Sequence, residues 1–178
     1  MFNINQSAPM YDQNAVQPMR DELIYVGFNE LFTPENVEQA FEETKNGTML
    51  VLINSVCGCA AGSARPGATL ALQNNIIPDK IVTLFAGQER EAVSFFRDKY
   101  TPQIPPSSPS MFLYKNGELV FTLQRYDIEG RTQEEIAKDL VEVFNEHCKS
   151  EGPSISPEAY AELVHAKMCG SKIPLNRN

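Results

Sequence analysis

The segment that most restricts the fold is a run of five consecutive apolar residues, Met49 to Ile53. A strand without a polar face must be covered on both faces, like a strand in a parallel sheet between helices. The pattern then predicts a helix over residues 60–72 that is kinked at Pro66-Gly67, a second strand over residues 81–85 and a helix over residues 89–100. This order of elements predicts a βαβ unit.

An antiparallel β-hairpin is predicted after this unit. The dipeptide Asn116-Gly117 stands between two apolar runs, residues 111–114 and 119–123, and it is the strongest short signal for a hairpin turn. Thr132 and Glu135 form a capping box at the start of a final core helix. We therefore expect the α/β fold class, with a central mixed sheet that combines the βαβ unit and the hairpin and is flanked by helices.

Two further helices are expected before the first strand. Apolar residues recur at helical spacing from Pro18 until Gly27, where a glycine stops the helix. Thr33 is followed by Pro34 and an acid, a sequence typical of the cap and first turn of a second helix.

The 178 residues have the length of one domain with terminal additions. Residues 1–16 are polar and are predicted to be a mobile N-terminal segment, and residues 17–150 are predicted to form the core domain. The composition of residues 151–154 is typical of a linker. Residues 151–178 are therefore predicted to be a C-terminal appendage with one short helix that reaches Met168.

The charge balance excludes some classes of partner. The chain has 15 Lys and Arg against 23 Asp and Glu, a net charge of −8. Such a surface repels duplex nucleic acid and anionic membranes, so we expect neither as a partner. The first twenty residues lack the apolar run of a signal peptide, and no apolar run is long enough to span a membrane, which predicts a cytoplasmic protein. The oligomeric state stays open.

The predicted reactive site is Cys57-Gly58-Cys59, which lies between the first strand and the following helix. Unpaired N–H groups and the helix dipole stabilise a thiolate at a helix N-terminus and lower the pKa of its cysteine. The end of a buried strand also holds a reactive group on a rigid base. Cys57, at the cap, is therefore predicted to be the exposed nucleophile, and Cys59, further into the helix, to be the resolving thiol.

Two cysteines separated by one residue do not meet disulfide geometry in a regular strand or helix. A turn at Gly58 can close the bond with some strain, which favours a pair that is easily reduced. The rival interpretation is a metal site. Its other candidate ligands, His147-Cys148, His165 and Cys169, each stand alone in the sequence, so we expect no bound metal.

Five other residues have two interpretations each. Arg65 can stabilise a thiolate, but solvent exposure or a structural ion pair is favoured. Asp127 and Glu129 can accept a proton near the site, although acids after a strand are more often capping or turn residues. Cys148 and Cys169 can be further redox thiols or ordinary structural residues, and the second interpretation is favoured.

A longer motif surrounds the cysteine pair: Asn54-Ser55-Val56-Cys57-Gly58-Cys59-Ala60-Ala61-Gly62, followed by Ala64-Arg65-Pro66. With this motif the chain resembles the bacilliredoxin family. The resemblance covers roughly residues 15–148, and its other matching segments are residues 18–20, 27–28, 85–88, 106–110, 129–130 and 147–148. A match of this length around Cys-Gly-Cys is specific, whereas a bare Cys-x-Cys is not.

The resemblance implies a thioredoxin-like fold and thiol–disulfide exchange. Cys57 would attack the mixed disulfide between a client protein and the low-molecular-weight thiol bacillithiol, and Cys59 would be the resolving partner. The family also implies client proteins with mixed disulfides as partners, bacillithiol or a related thiol as co-substrate, no bound cofactor, and weak disulfide isomerase activity. The alternative is a non-catalytic thioredoxin-like module that binds a metal or senses an oxidant.

In thioredoxin-like folds a cis proline precedes the first strand of the C-terminal hairpin and faces the cysteines. Pro109 has that position here, and Pro105 or Pro106 is the main alternative. A cis bond at Pro109 would let the neighbouring backbone pair with an extended client peptide. Gly58, Ser108 and Pro109 are therefore the predicted substrate-binding residues.

Overall fold

The structure is a computed structural model that describes residues 8–167 and 173–176. The elements of the first half are α1 (Gln13–Tyr25), β1 (Asn29–Glu30), α2 (Pro34–Glu43), β2 (Thr48–Asn54), a π-helical segment (Ala60–Ala64) that continues into α3 (Arg65–Ala71), β3 (Ile76–Ile77) and β4 (Lys80–Phe85). Those of the second half are α4 (Arg90–Tyr100), β5 (Ser110–Lys115), β6 (Glu118–Leu123), α5 (Arg125–Ile128), α6 (Gln133–His147), β7 (Ser150–Glu151) and α7 (Pro157–Ala161). None of the helices in the described ranges is long and apolar enough to cross a membrane.

A five-stranded mixed sheet forms the centre of the described residues, with the strand order β1-β4-β2-β5-β6. Strand β4 is parallel to both β1 and β2, whereas β5 is antiparallel to β2 and to β6. Val51, in the middle of β2, lies between Val82 of β4 and Phe112 of β5. The βαβ unit and the hairpin thus share β2, and the result is the predicted α/β, thioredoxin-like fold.

Helices cover both faces of the sheet, which explains why β2 is apolar along its length. Every residue of β2 is buried. Leu50 and Leu52 pack with residues of α3 and α6 on one face, and Met49, Val51 and Ile53 pack with residues of α2 and α4 on the other. Burial of each such side chain stabilises the fold by about 1.5–3 kcal/mol relative to its exposure to water. Strand β2 is therefore a rigid base for the residues that follow it.

The structure confirms the predicted hairpin and the predicted cap of the final helix. Asn116 and Gly117 have positive φ angles of 52° and 80°, as a two-residue type I′ turn requires. The Thr132 hydroxyl accepts a hydrogen bond from the Glu135 N–H, and the Glu135 carboxylate accepts one from the Thr132 N–H. Both signals act over a few residues, and they fix the start of β6 and of α6.

The helix after β2 changes type close to the predicted kink. The Arg65 N–H donates to the carbonyl of Ala60, five residues before it, and regular α-helix follows. Pro66 has no N–H to donate, so the chain cannot continue an unbroken α-helical ladder through this point. We call the π-helical segment and α3 together the site helix. Gly67 allows this helix to approach α6, because a Cβ atom there would lie 2.7 Å from Ile136.

Helix α1 begins earlier than predicted, at Gln13 rather than at Pro18. Asp12 caps the helix by accepting a backbone hydrogen bond in the first turn, and Val16 is completely buried. Together the cap and the burial outweigh the hydrogen bond that Pro18 cannot donate inside the helix. The predicted mobile segment therefore contributes its last residues to α1.

The C-terminal appendage folds back onto the core domain. Strand β7 pairs with β3, and the Gly152 N–H donates to the Asn75 carbonyl at 2.8 Å, so the predicted linker is a packed turn. The Gly152-Pro153 bond in this turn is cis. The predicted extension of α7 to Met168 is wrong, because α7 ends at Ala161 and the Ala166 N–H donates to a side chain of α1 instead. Met168 itself lies outside the described residues.

Candidate active site

The cysteine pair lies after β2, at the N-terminus of the site helix. The Cys57 carbonyl accepts a hydrogen bond from the Ala61 N–H at 3.3 Å, so Cys57 starts the helical hydrogen-bond ladder. The Sγ atoms of Cys57 and Cys59 are 2.9 Å apart and share a hydrogen bond between free thiols. Both residues are partly buried. Cys57 is therefore less exposed than predicted, because Ser55 and Cys59 contact it.

Two polar side chains fix the loop between β2 and Cys57. Asn54 Oδ1 accepts a hydrogen bond from the Ser55 N–H at 2.9 Å, and Asn54 Nδ2 donates to the Met19 carbonyl at 3.2 Å. Ser55 Oγ then accepts from the Cys57 N–H at 3.2 Å. The backbone at Cys57 is therefore held in place by bonds that do not depend on a substrate.

The surroundings of Cys57 favour its thiolate. Partial burial raises the pKa of the Cys57 thiol, whereas hydrogen bonds from Cys59, Ser55 and the Ala60 N–H lower it, as does the positive charge of Arg125. The lowering effects together are larger, so the pKa of Cys57 lies below its ordinary value. A nucleophilic thiol needs this property, because the thiolate is the attacking form.

The pKa of Cys59 moves in the opposite direction. Burial raises the pKa of the Cys59 thiol, and so do its hydrogen bond to Cys57 and the negative charge of the Cys57 thiolate. The two titrations are linked because the sulfurs share one hydrogen bond. The arrangement favours ionisation of Cys57 before Cys59, so that the Cys57 thiolate accepts a hydrogen bond from a protonated Cys59.

Arg125 is a site residue that the sequence analysis missed. It is the first residue of α5, directly after the hairpin, and its Nη1 donates to the Ser108 carbonyl at 3.5 Å. Its positive charge lowers the pKa of both Cys57 and Cys59. No local motif marks an arginine that approaches the cysteines from 66 residues or more along the chain. The side chain is well placed to interact with anionic sulfur at the site.

Asp127 and Glu129, the acids near Arg125, have the structural roles that the sequence analysis favoured. Asp127 Oδ2 accepts a hydrogen bond from the Gln124 N–H and completes a capping box at the start of α5. Glu129 accepts a hydrogen bond from Arg125 Nε at 2.6 Å in an exposed ion pair. Glu129 also lies close enough to Cys59 for its negative charge to raise the pKa of that thiol.

The Ser108-Pro109 bond is cis, whereas the bonds before Pro105 and Pro106 are not. The predicted cis proline, Pro109, is therefore confirmed. Ser110, the next residue, pairs with Ile53 of β2. The loop that contains Pro109 therefore lies at the same end of the sheet as the cysteine pair.

The three predicted substrate-binding residues border the site from two sides. A Cβ atom on Gly58 would meet no atom within 4 Å, so this position faces open space. Ser108 and Pro109 lie on the opposite loop, where the Ser108 carbonyl accepts from Arg125. A substrate contact at these residues stays a prediction.

A buried ion pair supports the loop before Cys57. The side chains of Arg65 and Glu22 are completely buried, and Arg65 Nε donates to Glu22 Oε2 at 2.9 Å. Arg65 Nη1 also donates to Asn54 Oδ1 at 3.0 Å and to the Ser55 carbonyl at 2.9 Å. A structural ion pair was one of the two favoured interpretations of Arg65, and the structure confirms it. The sequence analysis missed the partner residue, Glu22.

Cys148 is not part of this site. Cys148 caps α6, is buried, and contacts Thr48 at the start of β2, whereas Cys57 follows the end of that strand. Burial raises the pKa of Cys148 to about 11, which is typical of a structural thiol. Cys169 lies outside the described residues. In the described ranges no three His, Cys, Asp or Glu side chains are grouped as metal ligands.

Comparison with known proteins decides the family. A family model described as disulphide isomerase matches residues 11–148. A bacilliredoxin of Salinibacter ruber is 47% identical over 160 residues, which cover 90% of this chain and 93% of the relative. A bacilliredoxin of Halalkalibacterium halodurans is 52% identical over 139 residues, which cover 78% of this chain and 95% of the relative. The chain belongs to the bacilliredoxin family.

Among solved structures, a protein named for its thioredoxin fold matches with a TM-score of 0.47 and 22% identity, over 66% of this chain and 97% of that chain. The bacilliredoxin relatives and the family model support thiol–disulfide redox chemistry, so the chain is a thiol–disulfide oxidoreductase. The family model ends at residue 148, and the C-terminal appendage therefore lies beyond its match.

Proposed function

We propose that this bacilliredoxin removes bacillithiol, or a related low-molecular-weight thiol, from mixed disulfides of client proteins. The Cys57 thiolate attacks the sulfur of the small thiol. A disulfide forms between Cys57 and the small thiol, the bond to the client sulfur breaks, and the electron pair leaves with the client as a thiolate. One disulfide replaces another, so this step needs no further oxidant or reductant.

Cys59 resolves the adduct in the dithiol form of the reaction. Its thiol loses a proton to solvent and attacks the Cys57 sulfur, which forms the Cys57–Cys59 disulfide and releases the small thiol as a thiolate. Two equivalents of a low-molecular-weight thiol then reduce the oxidised pair and leave as their own disulfide, in a reducing compartment for which we propose the cytoplasm.

The observation that carries the proposal is the opposite polarisation of the two thiols. Their sulfurs are 2.9 Å apart, the pKa of Cys57 is lowered and the pKa of Cys59 is raised. An attacking thiol must be a thiolate at working pH, and a resolving thiol must stay protonated until the adduct has formed. The directions of the two pKa shifts match these two requirements.

The client peptide is proposed to lie against the loop that contains Ser108 and Pro109. This loop lies at the same end of the sheet as Cys57. Arg125 contacts the Ser108 carbonyl and supplies positive charge near both cysteines. Positive charge there also stabilises the thiolate that leaves with the client.

The test uses a client protein with one bacillithiolated cysteine and follows its mass. Wild type and Cys59→Ala should both remove the adduct, whereas Cys57→Ala should remove none. Cys148→Ala is the matched control, because this buried cysteine lies at the other end of β2, and its activity should equal that of wild type. Equal activity of Cys57→Ala and Cys59→Ala would contradict the proposed division of roles.

The rival interpretation, a metal-binding or oxidant-sensing module, predicts different solution chemistry. Metal analysis of the purified protein together with alkylation of Cys57 separates the two. We expect rapid alkylation of Cys57 near neutral pH and no stoichiometric metal. One tightly bound zinc ion per chain with an unreactive Cys57 would overturn thiol exchange.

Disulfide isomerase activity is a second candidate, because the matching family model is described by that activity. Isomerisation needs Cys57 to form a mixed disulfide with a client and then be displaced by another client thiol. Recovery of activity by a scrambled disulfide protein measures it. Cys59→Ala should retain this activity and Cys57→Ala should lose it, and loss in both variants would contradict a monothiol route.

A further inference from the structure

An open cavity of about 390 Å³ lies beside the cysteine pair, and its position suggests a ligand site. One side is the start of the site helix, with Gly58, Ala61 and Gly62, and the other side is the C-terminal appendage, with His165 and Lys167. Cavities that bind small molecules begin at about 300 Å³. This cavity has room for a small organic group but not for a folded client.

Three residues on the helical side of the cavity have little or no side chain, and Pro66 and Gln133 complete the lining. Residues 58, 61 and 62 are three and four positions apart, so they share one face of the helix. A Cβ atom on Gly58 or on Gly62 would meet no atom within 4 Å. This face, which begins at the residue after Cys57, therefore leaves open space for a small group.

The other side is held in place by the buried ion pair. The Glu22 carboxylate accepts hydrogen bonds from Arg65 Nε at 2.9 Å and from the Ala166 N–H at 3.1 Å, and its Oε1 is 2.7 Å from His165 Nδ1. Arg65 Nη2 donates to the Ala166 carbonyl at 3.0 Å. Both the N–H and the carbonyl of Ala166 are thus hydrogen-bonded. Ala166 lies between the two cavity residues His165 and Lys167.

The cavity is bordered by a lysine in an otherwise acidic protein. Lys167 is exposed, and in the described ranges no carboxylate forms an ion pair with it. The carboxylate nearest to His165, that of Glu22, is completely buried behind it. Because the chain has a net charge of −8, an exposed ammonium group on a cavity that Gly58 also lines favours an anionic ligand.

We propose that this cavity binds the carboxylate-bearing part of the low-molecular-weight thiol that Cys57 takes from its client, with Lys167 and His165 facing the carboxylates. The inference rests on the proposed function and names the chemistry of its small substrate. The exchange is unchanged: the Cys57–thiol bond forms, the thiol–client bond breaks and the client leaves as a thiolate. The C-terminal appendage, which lies beyond the match of the family model, thereby contributes to selection of the thiol.

The experiment compares two caps on one peptide with a single cysteine: mercaptosuccinate, which has two carboxylates, and neutral 2-mercaptoethanol. The protein is the full chain with Cys59→Ala, and mass spectrometry counts transfer of the cap to Cys57. The measured quantity is the ratio of the two transfer rates. Lys167→Glu should lower this ratio about fivefold, the size expected for loss of an ion pair near the surface.

Two further variants complete the design. Lys149→Glu makes the same charge change at an exposed position beside Cys148, at the far end of the sheet, and should leave the ratio unchanged. Gly62→Leu fills the cavity from its open side and should slow transfer of mercaptosuccinate.

The outcomes separate this inference from the function on which it rests. If both caps are transferred and Lys167→Glu has the same ratio as Lys149→Glu, the cavity does not select the thiol, although exchange at Cys57 stands. If neither cap is transferred to Cys57, the proposed function fails and the cavity assignment fails with it.

Discussion

Removal of the Cys59 thiol should raise the pKa of Cys57, because Cys59 donates a hydrogen bond to the Cys57 thiolate at an Sγ–Sγ distance of 2.9 Å. A hydrogen bond to a charged group contributes about 1.5–3 kcal/mol. A pKa difference of one corresponds to about 1.4 kcal/mol, so Cys59→Ala should raise the pKa of Cys57 by about 1–2. Ser55, the Ala60 N–H and Arg125 remain, and they limit this increase.

The assay is the rate of alkylation of Cys57 by iodoacetamide as a function of pH, measured by mass spectrometry on the peptide that contains Cys57. A thiol with a higher pKa is ionised to a smaller extent at a given pH, so the rate profile of Cys57 in Cys59→Ala should move to higher pH. When the pKa rises by one, the thiolate fraction below the pKa falls tenfold, but nucleophilicity rises about threefold. At a pH below the pKa of Cys57, the rate should therefore fall about threefold for each such increase in that pKa.

Cys59→Ser is the matched control for this prediction. A serine hydroxyl keeps a hydrogen-bond donor at the same position, so the pKa of Cys57 should rise clearly less than in Cys59→Ala. An unchanged or lower pKa of Cys57 in Cys59→Ala would show that Cys59 does not stabilise the Cys57 thiolate. An equal rise in the two variants would show that the hydrogen bond is not the cause.

The remaining predictions concern stability and are measured by urea denaturation. Arg65→Met should lower the free energy of unfolding by about 3–5 kcal/mol, because it leaves the buried Glu22 carboxylate without its charged partner; a loss below about 1 kcal/mol would contradict the role of this pair. Gly67→Ala should cost about 1–3 kcal/mol, since its Cβ would lie 2.7 Å from Ile136. Gly58→Ala is the control without such a clash and should be close to neutral.

Much of the fold follows from signals that act over a few residues. The apolar run in β2, the turn at Asn116-Gly117 and the capping box at Thr132 each determine their own local structure, and the structure confirms all three. The start of α1 was not predictable from Pro18, because burial of Val16 outweighs the missing proline N–H. Strands of two residues, such as β1 and β3, are too short to show an alternating pattern.

The site was predictable only in its local part. Cys57 and Cys59 stand where a strand meets a helix, so the sequence marks them directly. Arg125, Glu22 and His165 reach the site through tertiary packing, and no periodic pattern connects residues so far apart in the chain. Their contributions depend on the register of the sheet and on the path of the C-terminal appendage.

In the proposed reaction, Cys57 takes the small thiol from a client protein. The most direct measurement is the peptide mass map of Cys59→Ala after incubation with an equimolar bacillithiolated client. We predict one bacillithiol adduct on the Cys57 peptide and one equivalent of free client thiol. A client that keeps its adduct, or an adduct on any cysteine other than Cys57, would contradict transfer of the small thiol to Cys57.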